Sequence, residues 1–422
     1  MTRTTRRTLL VPAALVALLV ACLVGLHSRA ALDGPGGALG LPDRLSQPAW
    51  GTPSGTASPG GPVALVATGS REPEAGFGDT NAAVMVGPGG YRMTSRIGAD
   101  EFHPGEDMLL SPDGGTTAYG TGAWTSASVQ LTDVRTGRAR TLPVGVGSAR
   151  VVAWTPDSRR FVVAELHRTS WAGIGLLDTS SGRYRRIAEA RGTYVPGAVA
   201  VSADGSWVAY QGGDSLTVLS VADGSVVGRA ALAPGALLTG KAAFTPDGSA
   251  LVVAVPDSAS APRAWGLRLV DARTGVARPT ALPAVHDAVA VRAVGWRPDG
   301  SAAVLAFRPD AAYGTDPRVS SAVGDRTRFE AVRRVDLLAV RAGAAAPTTL
   351  LRPPADTLAM DVAQQAVASS VVVHLAGQPA LVAPVWLLRT GLGLALLGLV
   401  ALVLLRLPRR PRPAPLGVAT AV

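Results

Sequence analysis

Charged and aromatic residues are concentrated in one long polar stretch, residues 308–331 (RPDAAYGTDPRVSSAVGDRTRFEA). Positive and negative side chains mixed with aromatic rings are suited to polar contacts with a partner, because together they offer hydrogen bonds, ion pairs and flat apolar surface. Three tryptophans near comparable stretches elsewhere add stacking surface. The candidate ligand-binding residues are therefore Asp310, Tyr313, Asp316, Arg318, Arg326, Phe329, Trp124, Trp171 and Trp265.

Catalytic signatures are missing from the sequence. No G-x-S-x-G nucleophile elbow, H-E-x-x-H, P-loop, EF-hand loop or paired C-x-x-C occurs, and the five histidines are scattered. The only cysteine, Cys22, lies in an apolar stretch near the N-terminus, so the folded region has no thiolate for a metal and no disulfide. We assign no catalytic, cofactor-binding or metal-ligating residue and expect no cofactor.

The net charge of +10 is unevenly distributed along the chain. Residues 28–383 hold 32 of the 40 basic residues and all 30 acidic ones, so this middle region is nearly neutral. The excess arginines flank two apolar segments at the ends. Because no basic surface belongs to the folded region, the sequence predicts no nucleic-acid partner.

A turn motif with a central aspartate recurs five times, as SPDG, TPDS, SADG, TPDG and RPDG. Proline presets φ at the first central position, aspartate can accept from its own backbone, and glycine accepts positive φ. Apolar strand-like runs flank each motif, so each predicts a β-hairpin, with the aspartates as structural turn residues. These are Asp113, Asp157, Asp204, Asp247 and Asp299, spaced 44, 47, 43 and 52 residues apart.

A second glycine-containing turn follows in most repeats, as in LTDVRTGRARTL from Leu131 and LLDTSSGRYRRI from Leu176. Two hairpins in a repeat of about forty residues make one four-stranded blade of a β-propeller. Residues 356–376 look like the first hairpin, and residues 63–98 like the remainder, of one further blade shared between the chain ends. We predict an all-β propeller of six blades over residues 63–380. Seven blades stay possible because the last internal repeat is long.

The PDG-centred hairpins, with outer turns of the form D-x-x-T/S-G, resemble the WD40-like (PD40) propeller repeats of TolB and related bacterial proteins. The resemblance covers about residues 63–376 and lacks the GH and WD dipeptides of strict WD40 repeats. It implies a propeller that serves as a binding platform or as one domain of a peptidase, although this chain has no accompanying hydrolase domain.

The longest insertions fall at 70–81, 256–264 and 308–331. All three join the second and third strands of a predicted blade, so they emerge on one face of the propeller. Long loops gathered on one face are typical of a binding surface, although neutral surface insertion gives the same pattern.

Two apolar segments predict a membrane protein. Residues 8–26 follow three arginines, so residues 1–27 are either a signal peptide or an uncleaved anchor; Leu19 to Cys22 also resembles a lipidation site. Residues 382–406 are long enough to span a bilayer and precede a basic tail, 407–422, predicted to be cytoplasmic. Residues 28–62 are rich in Gly, Pro and Ser and predict a flexible linker.

The sequence therefore favours a non-enzymatic, membrane-tethered propeller outside the cytoplasm that binds a protein or cell-envelope ligand through its loops. The alternative is a propeller enzyme, a hydrolase or lyase, whose acid/base residues converge at the central channel without a local motif. The Ala, Gly, Arg, Val and Pro content is typical of a GC-rich, for example actinobacterial, genome and predicts no function.

Overall fold

The computed structural model describes residues 39–46, 60–68, 83–88, 90–93, 104–106, 108–121, 128–144, 148–167, 170–192, 194–257, 263–309, 332–355 and 357–375. In this part of the chain, strands dominate and one short helix, α1 (Gln364–Ala368), follows the last blade strand. The strands pair into six antiparallel blades, numbered here along the chain, five of four strands and one of five, and one small two-stranded sheet. The predicted six-bladed, all-β propeller is confirmed.

Each blade is given from its innermost strand outward. Blade 1 contains β26 (Ala359–Val362), β2 (Leu65–Thr68), β3 (Val84–Gly87) and β4 (Gly90–Met93). Blade 2 contains β5 (Met108–Leu110), β6 (Thr116–Thr121), β7 (Ser128–Asp133) and β8 (Ala139–Pro143). Blade 3 contains β9 (Ser148–Trp154), β10 (Arg160–His167), β11 (Ser170–Asp178) and β12 (Tyr184–Ala188).

The remaining blades follow the same order. Blade 4 contains β13 (Tyr194–Val201), β14 (Trp207–Gly212), β15 (Ser215–Ser220) and β16 (Val226–Ala231). Blade 5 contains β17 (Leu237–Leu238), β18 (Ala250–Pro256), β19 (Arg263–Asp271) and β20 (Ala277–Ala281), with an extra strand, β21 (Val285–Ala288), also paired to β19. Blade 6 contains β22 (Ala290–Trp296), β23 (Ala302–Pro309), β24 (Val332–Val340) and β25 (Thr348–Leu351).

The extra strand β21 accounts for much of the length of the last internal repeat. It pairs with the start of β19, with Trp265 opposite Val285, while β20 pairs farther along the same strand. The outer edge of blade 5 is therefore built from two short strands. The added residues extend an existing blade, so the described residues form six blades and no seventh.

The turn motifs owe their shape to their side chains. Asp113 accepts hydrogen bonds from the Ser111 hydroxyl at 2.6 Å and from the Gly115 N–H at 3.0 Å. Gly114 between them has φ of 69°, a conformation that glycine adopts without a steric penalty. Asp157, Asp204, Asp247 and Asp299 accept equivalent backbone hydrogen bonds from the second residue after each. These local bonds position each first hairpin.

The ring closes through blade 1, whose inner strand comes from the C-terminal part of the propeller. β26 pairs with β2 over its whole length, with Leu65 opposite Val362 and Thr68 opposite Ala359. The predicted hairpin at 356–376 is wrong in one respect, because only its first strand forms. The second-strand position is already filled by β2, so the chain after β26 turns into α1 instead.

The described segments flanking the ring lie against one face of it. β1 (Leu41–Pro42) pairs in parallel with β27 (Val372–Val373), and Leu41 is buried in the same apolar cluster as Val367 of α1. The Gln365 N–H donates to the carbonyl of Pro112, within a first-hairpin turn. We call this side, which carries the first-hairpin turns, the turn face. Residues 39–46 are therefore held on the propeller, and the predicted flexible linker does not extend to them.

No helix within the described residues is long and apolar enough to cross a membrane. The two predicted membrane segments, 1–27 and 382–406, lie outside those residues.

Candidate functional site

The face opposite the turn face carries the connections between second and third strands and those between blades; we call it the loop face. The two kinds of connection share a face because consecutive strands of a blade run antiparallel. Blades 3 and 4 join their middle strands through only residues 168–169 and 213–214. The corresponding connections span 69–83 in blade 1 and 310–331 in blade 6. Blades 6 and 1 are neighbours, so the long connections are concentrated on one part of the loop face.

Most of the candidate ligand-binding residues lie outside the described residues. These are Trp124 and the six candidates of the stretch 310–331, namely Asp310, Tyr313, Asp316, Arg318, Arg326 and Phe329. What the structure does establish is where their connection begins and ends: Pro309 closes β23 and Val332 opens β24, both at the loop face. Their assignment to a binding surface remains a prediction.

Trp171 and Trp265 require a correction, because both rings are buried. Trp265 is 1% exposed and its indole N–H donates to the carbonyl of Ala288 at 2.9 Å. Trp171 is 5% exposed and its indole N–H donates to the carbonyl of Gln211, in blade 4, at 3.0 Å. Both lie near the start of a third strand, where the ring fills apolar space in the core. They therefore offer no surface for a ligand.

A charged cluster that the sequence analysis missed lies at the base of the 310–331 connection. Arg308 of β23 and Arg334 of β24 stand directly opposite each other. Asp336, 2% exposed, accepts from both, at 2.8 Å from Arg308 Nε and 2.7 Å from Arg334 Nε. Both guanidinium groups keep about a quarter of their side-chain surface in solvent, at 24% and 28%. The cluster thus displays positive charge on the loop face.

The central channel contains the only lysine of the chain in a buried ion pair. Lys241 Nζ lies 2.6 Å from Asp361 Oδ1 and donates to the carbonyl of Val362 at 2.9 Å. The other carboxylate oxygen, Oδ2, accepts from the Leu110 N–H at 2.7 Å. The pair therefore connects blade 5 with blade 2 through the closing strand β26. Both oxygens of Asp361 are committed to these contacts, which favours a bracing role over that of a general base.

A second ion pair crosses the channel nearby. Arg292 Nη2, from blade 6, lies 3.2 Å from Glu106 Oε1, at the entry to blade 2. Gly197 of blade 4, with φ of 73°, makes room for the guanidinium, since a Cβ there would overlap Arg292 Nε. A small cavity here is lined by Lys241, Arg292 and Asp361 among glycines and apolar residues. Its described lining contains two cations, one carboxylate and no histidine.

Metal chemistry finds no support in the described residues. They contain no group of three or more His, Cys, Asp or Glu side chains close enough to hold a metal ion. Residue His103 lies outside them, whereas His167, His286 and His374 are exposed and far apart in sequence.

The aspartates of the turns predict that the stability of the propeller depends on pH in the acid range. The Ser249 hydroxyl lowers the pKa of Asp247 from 3.8 to about 2, the Ser220 hydroxyl lowers the pKa of Asp223 to about 2, and the Thr274 N–H does the same for Asp271. A carboxylate whose pKa is lower in the folded state stabilises the fold fully above its unfolded-state pKa and loses that effect as pH falls through the folded value. We expect the melting temperature to drop as pH falls from about 4 to about 2.

Thermal unfolding at a series of pH values, followed by circular dichroism, tests this expectation. Asp247→Asn is the matched variant: it should melt earlier than the wild type at pH 7 and show a smaller drop towards pH 2. Identical melting temperatures at pH 4 and pH 2 for the wild type would contradict the assignment.

Comparison with known proteins yields similarity in structure only. No protein-family model matches the chain, and no curated protein is detectably similar to it in sequence. Similar solved structures include hydrazine synthase from Kuenenia stuttgartiensis (18% identity, TM-score 0.40, covering 60% of this chain and 68% of that one). TolB from Acinetobacter baumannii shows 13% identity and a TM-score of 0.41 over 69% and 67% of the two chains. The propeller domain of the Trilobed protease from Pyrococcus furiosus shows 10% identity and a TM-score of 0.36 over 59% and 71%.

Proposed function

We propose that this chain is a membrane-tethered, extracytoplasmic propeller that binds a protein or a cell-envelope ligand through its loop face. The observation that carries the proposal is the uneven distribution of connections on that face. The 22 residues at 310–331 and the 15 at 69–83 belong to neighbouring blades, whereas blades 3 and 4 use two-residue turns. Such local enlargement on a rigid scaffold is how binding surfaces are commonly built.

The positions of the chain ends are consistent with this arrangement. Residues 39–46 and 363–375 are the described stretches nearest in sequence to the two segments predicted to associate with the membrane, and they lie at the turn face. These two described stretches therefore leave the loop face uncovered. Tethering a binding surface near a membrane raises its effective concentration for partners in the envelope.

The channel geometry does not favour the alternative of an enzyme. A general acid or base needs a carboxyl or imidazole group that can exchange a proton with a substrate. The Asp361 carboxylate instead accepts from Lys241 and two backbone N–H groups, and Glu106 is paired with Arg292. Breaking such buried pairs to free a carboxylate for proton transfer is costly.

Replacing residues 310–331 with a short Gly-Ser turn is expected to abolish capture of the partner while leaving the fold intact. Affinity purification from solubilised membranes, with the intact chain as reference, measures this loss. The matched control replaces residues 341–347 of the same blade, which join β24 to β25 at the turn face. That variant should still capture the partner. If the 310–331 variant captures as much partner as the 341–347 variant, or if the intact chain captures none, the loop face is not the binding surface.

A further inference from the structure

The arginine pair at the loop face has a geometry that the sheet alone does not explain. Arg308 and Arg334 are cross-strand partners in β23 and β24. Like charges directly opposite each other destabilise an antiparallel pair, so two arginines at such a position need a compensating group. Asp336 provides it, with one carboxylate oxygen on each Nε. One buried anion thus holds two cations in place and leaves the three groups with a net positive charge.

Backbone groups of the extra strand fix one of the two guanidinium groups further. Arg308 Nη1 donates to the carbonyl of His286 at 2.5 Å and lies 3.4 Å from that of Asp287. Asp287 has φ of 52°, a left-handed conformation that is uncommon for a residue other than glycine. Strained backbone of this kind often accompanies a functional constraint. The strand β21, present only in blade 5 among the described blades, therefore helps to orient Arg308.

Arg334 keeps donors for an external group. Its Nε is used by Asp336, and no described residue accepts from its Nη atoms, which belong to a side chain 28% exposed. A guanidinium group with its Nε anchored and its Nη atoms in solvent is preorganised to donate two hydrogen bonds to a carboxylate. Preorganisation reduces the entropy lost when a partner binds.

We propose that Arg308 and Arg334 form the contact point for an acidic segment of a partner protein. This inference rests on the proposed function of the loop face and specifies its partner by chemistry. A phosphate-bearing lipid headgroup offers the same oxyanion. However, residues 39–46 and 363–375, the described stretches nearest in sequence to the predicted membrane segments, lie at the turn face, and the arginine pair is on the other face. The geometry therefore favours a protein carboxylate.

The test measures binding of a fluorescent pentaglutamate peptide to the full chain in detergent at low salt, by fluorescence anisotropy. Arg334→Gln is expected to weaken binding about tenfold, because it removes a charge-assisted, two-donor contact. Arg333→Gln is the matched control: it lies next in sequence, is exposed, and changes the net charge equally without contacting Asp336. It should stay within about twofold of the wild type. Arg334→Lys keeps a cation beside Asp336 and should therefore fold normally, but it loses the two-donor contact with the peptide. Weaker peptide binding by this variant thus reports the lost contact and not unfolding.

Two outcomes would overturn the inference: an equal loss in Arg333→Gln and Arg334→Gln, or no peptide binding by the wild type. In the second case, binding to vesicles containing anionic lipid is measured as well and can prove to depend on Arg334. The last result would assign the arginines to a membrane surface. Neither outcome affects partner capture by the intact chain, so failure of this inference is distinguishable from failure of the proposed function.

Discussion

Replacing Lys241 with methionine is expected to lower the free energy of unfolding by about 3–5 kcal/mol, the usual cost of removing one member of a buried ion pair. Methionine keeps most of the aliphatic volume of lysine, so the loss reports mainly on the uncompensated charge of Asp361. That carboxylate is 1% exposed and would retain only backbone N–H partners. Because the pair connects blade 5 with the closing strand of blade 1, we expect the lost stability to come from weaker closure of the ring.

Urea unfolding followed by tryptophan fluorescence measures the change. The double variant Lys241→Met with Asp361→Leu should recover part of the stability, because it removes the stranded charge together with its partner. Arg297→Ala is the control for a surface pair. Its contact with Asp299 is 3.4 Å long between partly exposed groups, and we expect a change below about 1 kcal/mol. A Lys241→Met protein as stable as the wild type would mean that the pair does not support the closure.

The blade architecture was predictable because its determinants are local. The hydroxyl and carboxylate of each turn motif, with a glycine in four of the five, lie within five residues, as in the bonds between Ser111, Asp113 and Gly115. The spacing of these motifs along the chain gives the length of one blade repeat even when nothing is known of how the blades pack. The blade shared between the two chain ends was predictable for the same reason. Residues 63–98 lack a first hairpin with a turn motif, and residues 356–376 look like one.

The channel and the arginine cluster were not predictable, because their members meet only when the ring closes or two strands align. Lys241 donates to Val362, 121 residues away, and neither residue lies in a recognisable motif. Arg308 and Arg334 are brought together by the register of β23 and β24 across a connection of 22 residues. A signal was present, since Arg334 and Asp336 both lie in β24 among apolar residues, but their contact with Arg308 was not identifiable.

Trp171 and Trp265 can be compared with the aromatic residues that precede the first-hairpin turns. Trp154, Phe244 and Trp296 recur at that one position, where Trp154 and Phe244 are 3% exposed and Trp296 is partly buried. Trp171 and Trp265 also share a position, near the start of a third strand, yet proximity to the loops suggested exposure. Recurrence at one blade position was the better guide, because every blade packs against its neighbours in the same way.

Substituting Gly224 with alanine is expected to destabilise the propeller by about 3 kcal/mol or more, the second-largest effect we anticipate. Gly224 has φ of 75° in the outer turn of blade 4, and a Cβ there would overlap the carbonyl oxygen of Ile187 in blade 3. Because the overlap is between backbone atoms of blades 3 and 4, it can be relieved only if one blade moves away from the other. The cost of this overlap adds to the cost of placing alanine in a left-handed conformation.

Gly300→Ala separates these two contributions. Gly300 has an equivalent φ of 77° in the first turn of blade 6, but no atom lies within 4 Å of the position that a Cβ would take. Its substitution should cost only the left-handed conformation, about 1–2 kcal/mol. The difference between the two variants in urea unfolding therefore measures how tightly the outer turns of neighbouring blades are packed. Equal losses would show that blades 3 and 4 can separate at their outer edge at little cost, and that the rigidity of the ring is set at the channel instead.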